Sequence, residues 1–170
     1  MPCLSIHQKV SMRILTFLVV ALSALCLSTG CSSDCIFQQS FEVPNAEWTY
    51  EDPIRFEFEI PDTSARYNLN LALEHSTDYP YQNLYVKFHT QFPSGKTVEQ
   101  VVSLELTDKA ILWQGECSGK WCTINIPLQT GAIFPEPGKH SITLEQYTRD
   151  NPIKGVKSFS LCIQPATAAD

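Results

Sequence analysis

The chain is poor in positive charge. Twelve Lys and Arg stand against 18 Asp and Glu in 170 residues, a net charge of −6. The bases are scattered rather than gathered in a stripe, which argues against nucleic acid as the main partner. Catalytic signatures are missing as well. There is no G-x-S-x-G elbow, no phosphate loop and no G-x-G-x-x-G. No two His stand four apart, so the H-E-x-x-H zinc pattern is absent, and neither a metal nor a cofactor is expected. No long amphipathic helix, no repeat of 20–50 residues and no Gly/Ser linker divides the chain. With 44% hydrophobic and 18% charged residues, the composition excludes a disordered tail, a collagen-like fibre and a coiled coil. The length suits one domain with a real core.

What is present begins with an apolar run, Ile14 to Leu27, preceded by Lys9 and Arg13. A basic start, a short apolar stretch and small residues after it describe an export signal. The run falls short of the roughly 20 residues that a spanning helix needs. The rival, a buried core helix, is disfavoured because no polar face interrupts the run. Met12 followed by Arg13 is itself a compact signal start, so translation from Met1 or from Met12 is open. The run ends in Leu27-Ser28-Thr29-Gly30-Cys31-Ser32-Ser33-Asp34, a loose lipobox with Leu one place earlier than the consensus. The expectation is cleavage before Cys31, with a diacylglycerol on its thiol and palmitate among the acyl chains of the anchor. The alternative is ordinary secretory cleavage with a free or bridged Cys31. Cys26 is a poor alternative because Leu25 stands where a small residue is needed. Two acyl chains anchor stably, at about 0.8 kcal/mol per buried CH₂.

Removing residues 1–30 takes away Lys9 and Arg13 and no acid, leaving 18 acids against 10 bases, a net −8. Such a chain does not adhere to an anionic membrane by charge, so the lipid on Cys31 is expected to tether it to the bilayer. Cys35, Cys117, Cys122 and Cys162 then remain, an even number in an exported chain. The segment Cys117-Ser118-Gly119-Lys120-Trp121-Cys122 reads as a hairpin tip closed by a disulfide. Reduced thiols and a metal pair are the other readings, and four intervening residues suit metal poorly. Cys35 and Cys162 lie near the two domain ends and are a second possible bridge.

The periodicity of the mature chain is two. Phe56, Phe58 and Ile60 alternate with Arg55, Glu57 and Glu59; Leu69, Leu71 and Leu73 do the same. Leu84, Val86, Phe88, Thr90 and Phe92 oppose Tyr85, Lys87 and His89. Further strands are expected over 98–106, 121–128, 140–147 and 156–163, separated by Pro, Gly, Asn and Asp turn signals. The pattern predicts an all-β fold, one antiparallel sandwich of about eight strands. It divides the chain into a signal at 1–30, a lipidated tether at 31–40 and a sandwich at 41–165. Glu57 and Glu59 read as a solvated strand face rather than an acid–base pair, and His89 as a solvated surface histidine. His140 and Ser141, neighbours on a strand, point to opposite faces and form no dyad. Asp78 to Tyr85 is a polar-aromatic loop feeding a strand, the best candidate for a recognition surface. Tyr79 and Tyr81 within it are candidate partner-binding residues, with capping of the sandwich end as the competing role.

Several segments, in order, resemble the GldH gliding-motility lipoprotein family of the Bacteroidetes. They are Phe41-Glu42-Val43-Pro44-Asn45-Ala46-Glu47-Trp48, His75 through Tyr85, Pro137-Gly138-Lys139-His140, and Glu145 through Val156. The resemblance covers about Cys31 to Ile163. It implies an outer-membrane lipid-anchored protein of the cell envelope, with other envelope or gliding-machinery proteins as partners and no catalytic residues. Family members often carry an acidic, glycine-rich stretch where this chain has Cys117 and Cys122. Two functions follow, a non-enzymatic assembly lipoprotein or a surface glycan-binding lipoprotein. Three or more coplanar exposed rings in one groove would favour glycan; burial of Trp113 and Trp121 would favour assembly.

Overall fold

Residues 35–166 are described by a computed structural model; the expected signal and Cys31 lie outside them. Strong alternation builds the strands. In β3 (Ile54–Ile60) every second residue is buried, and Arg55, Glu57 and Glu59 face outward. The other strands are β1 (Phe37–Glu42), β2 (Glu47–Trp48), β4 (Tyr67–Ser76), β5 (Asn83–Gln91), β6 (Thr97–Glu105), β7 (Glu116–Ser118), β8 (Trp121–Ala132), β9 (Gly138–Gln146), β10 (Ile153–Lys154) and β11 (Val156–Pro165). One sheet runs β1-β11-β4-β8-β7, the other β3-β9-β5-β6, and β10 pairs with β2. All pairings are antiparallel. This is the expected antiparallel sandwich: eight strands of six or more residues, with β2, β7 and β10 as short additions.

The two sheets bury one core. Phe37 and Phe41 of β1 meet Phe58 and Phe56 of β3 with ring centroids 5.7 and 5.2 Å apart. Trp48 packs on Phe159 at 4.9 Å. In β11 the register against β4 slips between Val156 and Ser158, and this extra residue lets both Val156 and Phe159 face the core. Pro127 sits inside β8, but β7 covers only Trp121 to Thr123 of that strand. Beyond that point β8 is an edge, where proline is tolerated. The strand β1 begins at Phe37, inside the segment expected as tether. Its middle position, Gln39, breaks the apolar alternation, and one side of the strand is only half-buried, so it reads weakly from sequence.

Register divides the sandwich into two ends. Near the chain start lie Phe37↔Ile163, Tyr67↔Pro165, Ile60↔Gly138 and Gln91↔Thr97. At the far end lie Glu42↔Ser158, Ser76↔Trp121, Ile54↔Leu144 and Asn83↔Glu105.

Candidate functional site

Two bridges join the described cysteines: Cys35 to Cys162 and Cys117 to Cys122. The first has its Cα atoms 5.6 Å apart and ties the chain start to β11. The second links directly opposed residues of β7 and β8, with Cα atoms 3.9 Å apart, closer than the 4.4–6.8 Å usual for a disulfide. The hairpin turns on Gly119-Lys120. Gly119 has φ +61° and Lys120 no positive φ, the pattern of a type II′ turn.

Tyr79 is not a surface residue. It is 4% exposed, its hydroxyl donates to the Asn83 carbonyl oxygen at 3.2 Å, and its ring meets His75 and Tyr81 edge-on at 6.0 and 5.9 Å. Burial pushes its phenol pKa strongly up. Tyr79 therefore caps the sandwich end, correcting its placement among partner-binding residues. Its backbone N–H donates to the Ser76 carbonyl oxygen, and this tight turn swings the ring inward. Tyr81, two residues on, is 43% exposed. Its hydroxyl donates to Asp150 Oδ2 at 2.5 Å, and that bond is the main cause of its raised pKa.

Tyr81 opens a groove of about 500 Å³ lined also by Asn83, Tyr85, Val101, Tyr147, Thr148 and Arg149. Tyr85 stands on the outward face of β5, next to Tyr147, whose N–H donates to the Tyr85 carbonyl oxygen at 2.9 Å. A second cavity of about 450 Å³ lies across Tyr147 and adds Tyr50, Lys87 and Glu145. Lys87 Nζ sits 5.0 Å from the Tyr147 ring centroid, a cation–π contact. Buried Gln146 shapes the turn that follows. Its Nε2 donates to the Asp150 carbonyl oxygen at 3.0 Å, and its Oε1 accepts from Thr148 Oγ1 at 2.5 Å. The Tyr50 hydroxyl donates to the Thr148 carbonyl oxygen at 2.7 Å. Four exposed tyrosines, Tyr50, Tyr81, Tyr85 and Tyr147, thus gather at the far end of the sandwich. A signal for Tyr85 was available, because it has the parity opposite to Leu84 and Val86. Tyr147 and Tyr50 join only through pairing and the 147–151 turn.

The far end carries a second apolar feature. Ile111 and Leu112 are exposed at a loop tip between β6 and β7. Asp108 Oδ1 accepts from the N–H groups of Ala110 and Leu112 at 2.8 and 2.9 Å. Ile111 has φ +63°, strained for a β-branched residue. Trp113 and Trp121 are half-buried. Trp113 rests on His75 at 4.7 Å, and Trp121 lies beneath Lys120 and Lys157, each 5.2 Å from its ring.

The described histidines and Glu57 are held in ion pairs and ring contacts. His89 is not a freely solvated surface histidine: it stands between Glu99 at 3.2 Å and Glu145 at 3.0 Å, on opposite ring nitrogens, because β6 and β9 flank β5 on both sides. His140 is buried in a ring stack with Phe58. Glu57 faces solvent and pairs with Arg55 at 2.9 Å. No group of three or more His, Cys, Asp or Glu suited to a metal occurs among the described residues, nor does any helix long and apolar enough to cross a membrane.

The chain is 26% identical over 105 residues to a gliding motility lipoprotein GldH homolog of Christiangramia forsetii (strain DSM 17595 / CGMCC 1.15422 / KT0803). The match covers 62% of this chain and 65% of the relative, a little under two thirds of that protein's length. Among solved structures, a chain from the structure of infectious bursal disease virus Gx strain overlays 76% of this chain and 32% of its own, with a TM-score of 0.30 and 11% identity, too loosely to bear on function. The GldH lipoprotein family model matches residues 35–163, nearly the whole sandwich, from the first bridged cysteine to the last residue paired with β1, and the chain belongs to that family.

Proposed function

We propose that this protein is a non-enzymatic lipoprotein of the outer membrane that assembles with other envelope proteins, among them gliding-machinery components, through the far end of its sandwich. One observation carries the reading: four exposed tyrosines meet at the end opposite the one where the chain enters. Acylated Cys31 is the anchor. It precedes Cys35 by four residues, at most about 14 Å of extended chain. The ten residues of β4 span about 33 Å. The tyrosine end lies at the opposite end of the sandwich from Cys35, where it suits a protein partner. Tyrosine is a favoured interface anchor, combining a large apolar face with a hydroxyl. The rigid, strained display of Ile111 and Leu112 at the same end supports the reading.

The test is a Tyr81→Ala, Tyr85→Ala, Tyr147→Ala variant in crosslinked outer membranes. Partner recovery should fall at an unchanged melting temperature; unchanged recovery would reject the docking surface. Cys31→Ala should release the protein into soluble fractions or leave its signal uncut, and continued membrane fractionation after signal removal would reject the anchor. A glycan-binding reading draws on the same groove, whose size lies in the small-ligand range. It calls for retention of the wild-type protein, and not the triple variant, on immobilised surface polysaccharide.

A further inference from the structure

Among the described residues the sandwich has four edge strands, and three of them are short or charged. β7 is three residues long and bridged to β8 by Cys117–Cys122. β1 is only six residues long. β3 carries a charge at each outward position. The free stretch of β8 holds Pro127. Short length, charge and proline are the devices by which sheets avoid stray pairing.

β6 is the least guarded of the four, its only charges being Glu99 and Glu105. It is nine residues long and pairs with β5 without a bulge from Asn83↔Glu105 to Gln91↔Thr97. It contains no Lys, Arg or Pro. No strand among the described residues pairs with its other side. Thr97 to Val101 are exposed on both faces, with Val98 at 46% and Val101 at 47%. Such an edge is a ready template for another strand. Its outward side chains, read from the register, are Glu99, Val101, Ser103 and Glu105, opposite His89, Lys87, Tyr85 and Asn83. Val101 also forms a wall of the tyrosine groove.

We propose that β6 receives an extended segment of another protein as a fifth strand of its sheet, with basic residues facing Glu99 and Glu105 and an apolar residue facing Val101. This rests on the reading that the domain docks protein, and gives that partner a form. Charge decides against a second copy. Antiparallel self-pairing of the exposed half, centred on itself, sets Glu99 against Glu99, and like charges directly opposite destabilise. Of the acids only Asp34 and Asp170, and of the bases only Lys9 and Arg13, fall outside residues 35–166, which leaves 16 acids against 10 bases. Two such domains repel, whereas a basic strand is attracted.

The probe is the synthetic peptide Lys-Thr-Thr-Thr-Val-Thr-Lys, whose lysines match the spacing of Glu99 and Glu105 in an antiparallel pair. The full chain, purified in detergent, should bind it saturably at millimolar or lower concentration and show slowed amide hydrogen exchange over 97–103. A Glu99→Lys, Glu105→Lys variant should bind it about tenfold more weakly and bind the counterpart with glutamates in place of lysines. Should that variant fail to fold, Val101→Lys serves instead, with the same weakening expected. No binding, binding without slowed exchange, or equal affinity of both peptides for both proteins would overturn the proposal. So would a concentration-dependent dimer protecting the same amides without peptide. Loss of partner recovery in the triple tyrosine variant, together with peptide indifference to β6, would retain the docking end and reject this edge.

Discussion

Replacing Cys35 and Cys162 by Ser should cost far more stability than replacing Cys117 and Cys122. The bridged residues are 127 apart in the first pair and 5 apart in the second. A bridge restricts the unfolded chain by an entropy that grows with the logarithm of loop length, which gives about 5 kcal/mol at 25 °C for the long loop and about 2 kcal/mol for the hairpin. The long bridge also secures β1, whose remaining holds are its pairing with β11 and the contacts of Phe37 and Phe41 with β3. Unfolding entropy near 2.1 cal/mol/K per residue over the described domain turns 5 kcal/mol into a fall in Tm of about 18 °C, against about 7 °C for the hairpin. Urea unfolding followed by fluorescence is a suitable assay, because Trp48 is fully buried in the core and reports its exposure. Equal losses for the two double variants, or a larger loss for the hairpin, would refute the reasoning. So would a wild-type protein indifferent to a reducing agent.

Tyr79 and Tyr81 should separate cleanly. Tyr79→Ala removes a buried ring and should cost about 3–5 kcal/mol by thermal melting, while Tyr81→Ala should stay within about 1 kcal/mol. His75 is buried, with Nδ1 3.0 Å from the Ser76 carbonyl oxygen and a pKa lowered mainly by desolvation. Below about pH 6.5 the unfolded chain takes up a proton that the folded chain refuses, so stability should fall as pH drops from there to the folded pKa, by at most about 1.4 kcal/mol per pH unit. His75→Gln should flatten that part of the stability–pH curve. Gly115 has φ +85°, and a Cβ there would overlap the Thr123 carbonyl oxygen and lie 2.9 Å from Ile124 Cα; Gly115→Ala should destabilise by about 1–3 kcal/mol, read as a lowered urea midpoint.

Much of the fold was legible because alternation is a local property. Phe56, Phe58 and Ile60 declare a half-buried strand whatever they pair with, and Leu69, Leu71 and Leu73 do likewise. The fold class, the long strands and the family resemblance all followed from order along the chain. The export signal and lipobox are expectations about residues outside the described ones. What the chain alone leaves open is what meets what. Four cysteines allow three pairings, and only the approach of the chain start to β11 joins Cys35 to Cys162. Tyr79 and Tyr81 look alike in a turn with no period to sort them; a hydrogen bond to Asn83 and contact with His75 take one inward, and a bond to Asp150 holds the other at the surface. His89 read as solvated because its two carboxylates come from strands ten and 56 residues away. The tyrosine groove joins β5, β6 and the turn after β9. The open edge of β6 exists because the sheet ends there. A side chain's parity is local to its strand, but its neighbours and the edges of a sheet are set by which strands pair, and the tertiary fold alone decides that.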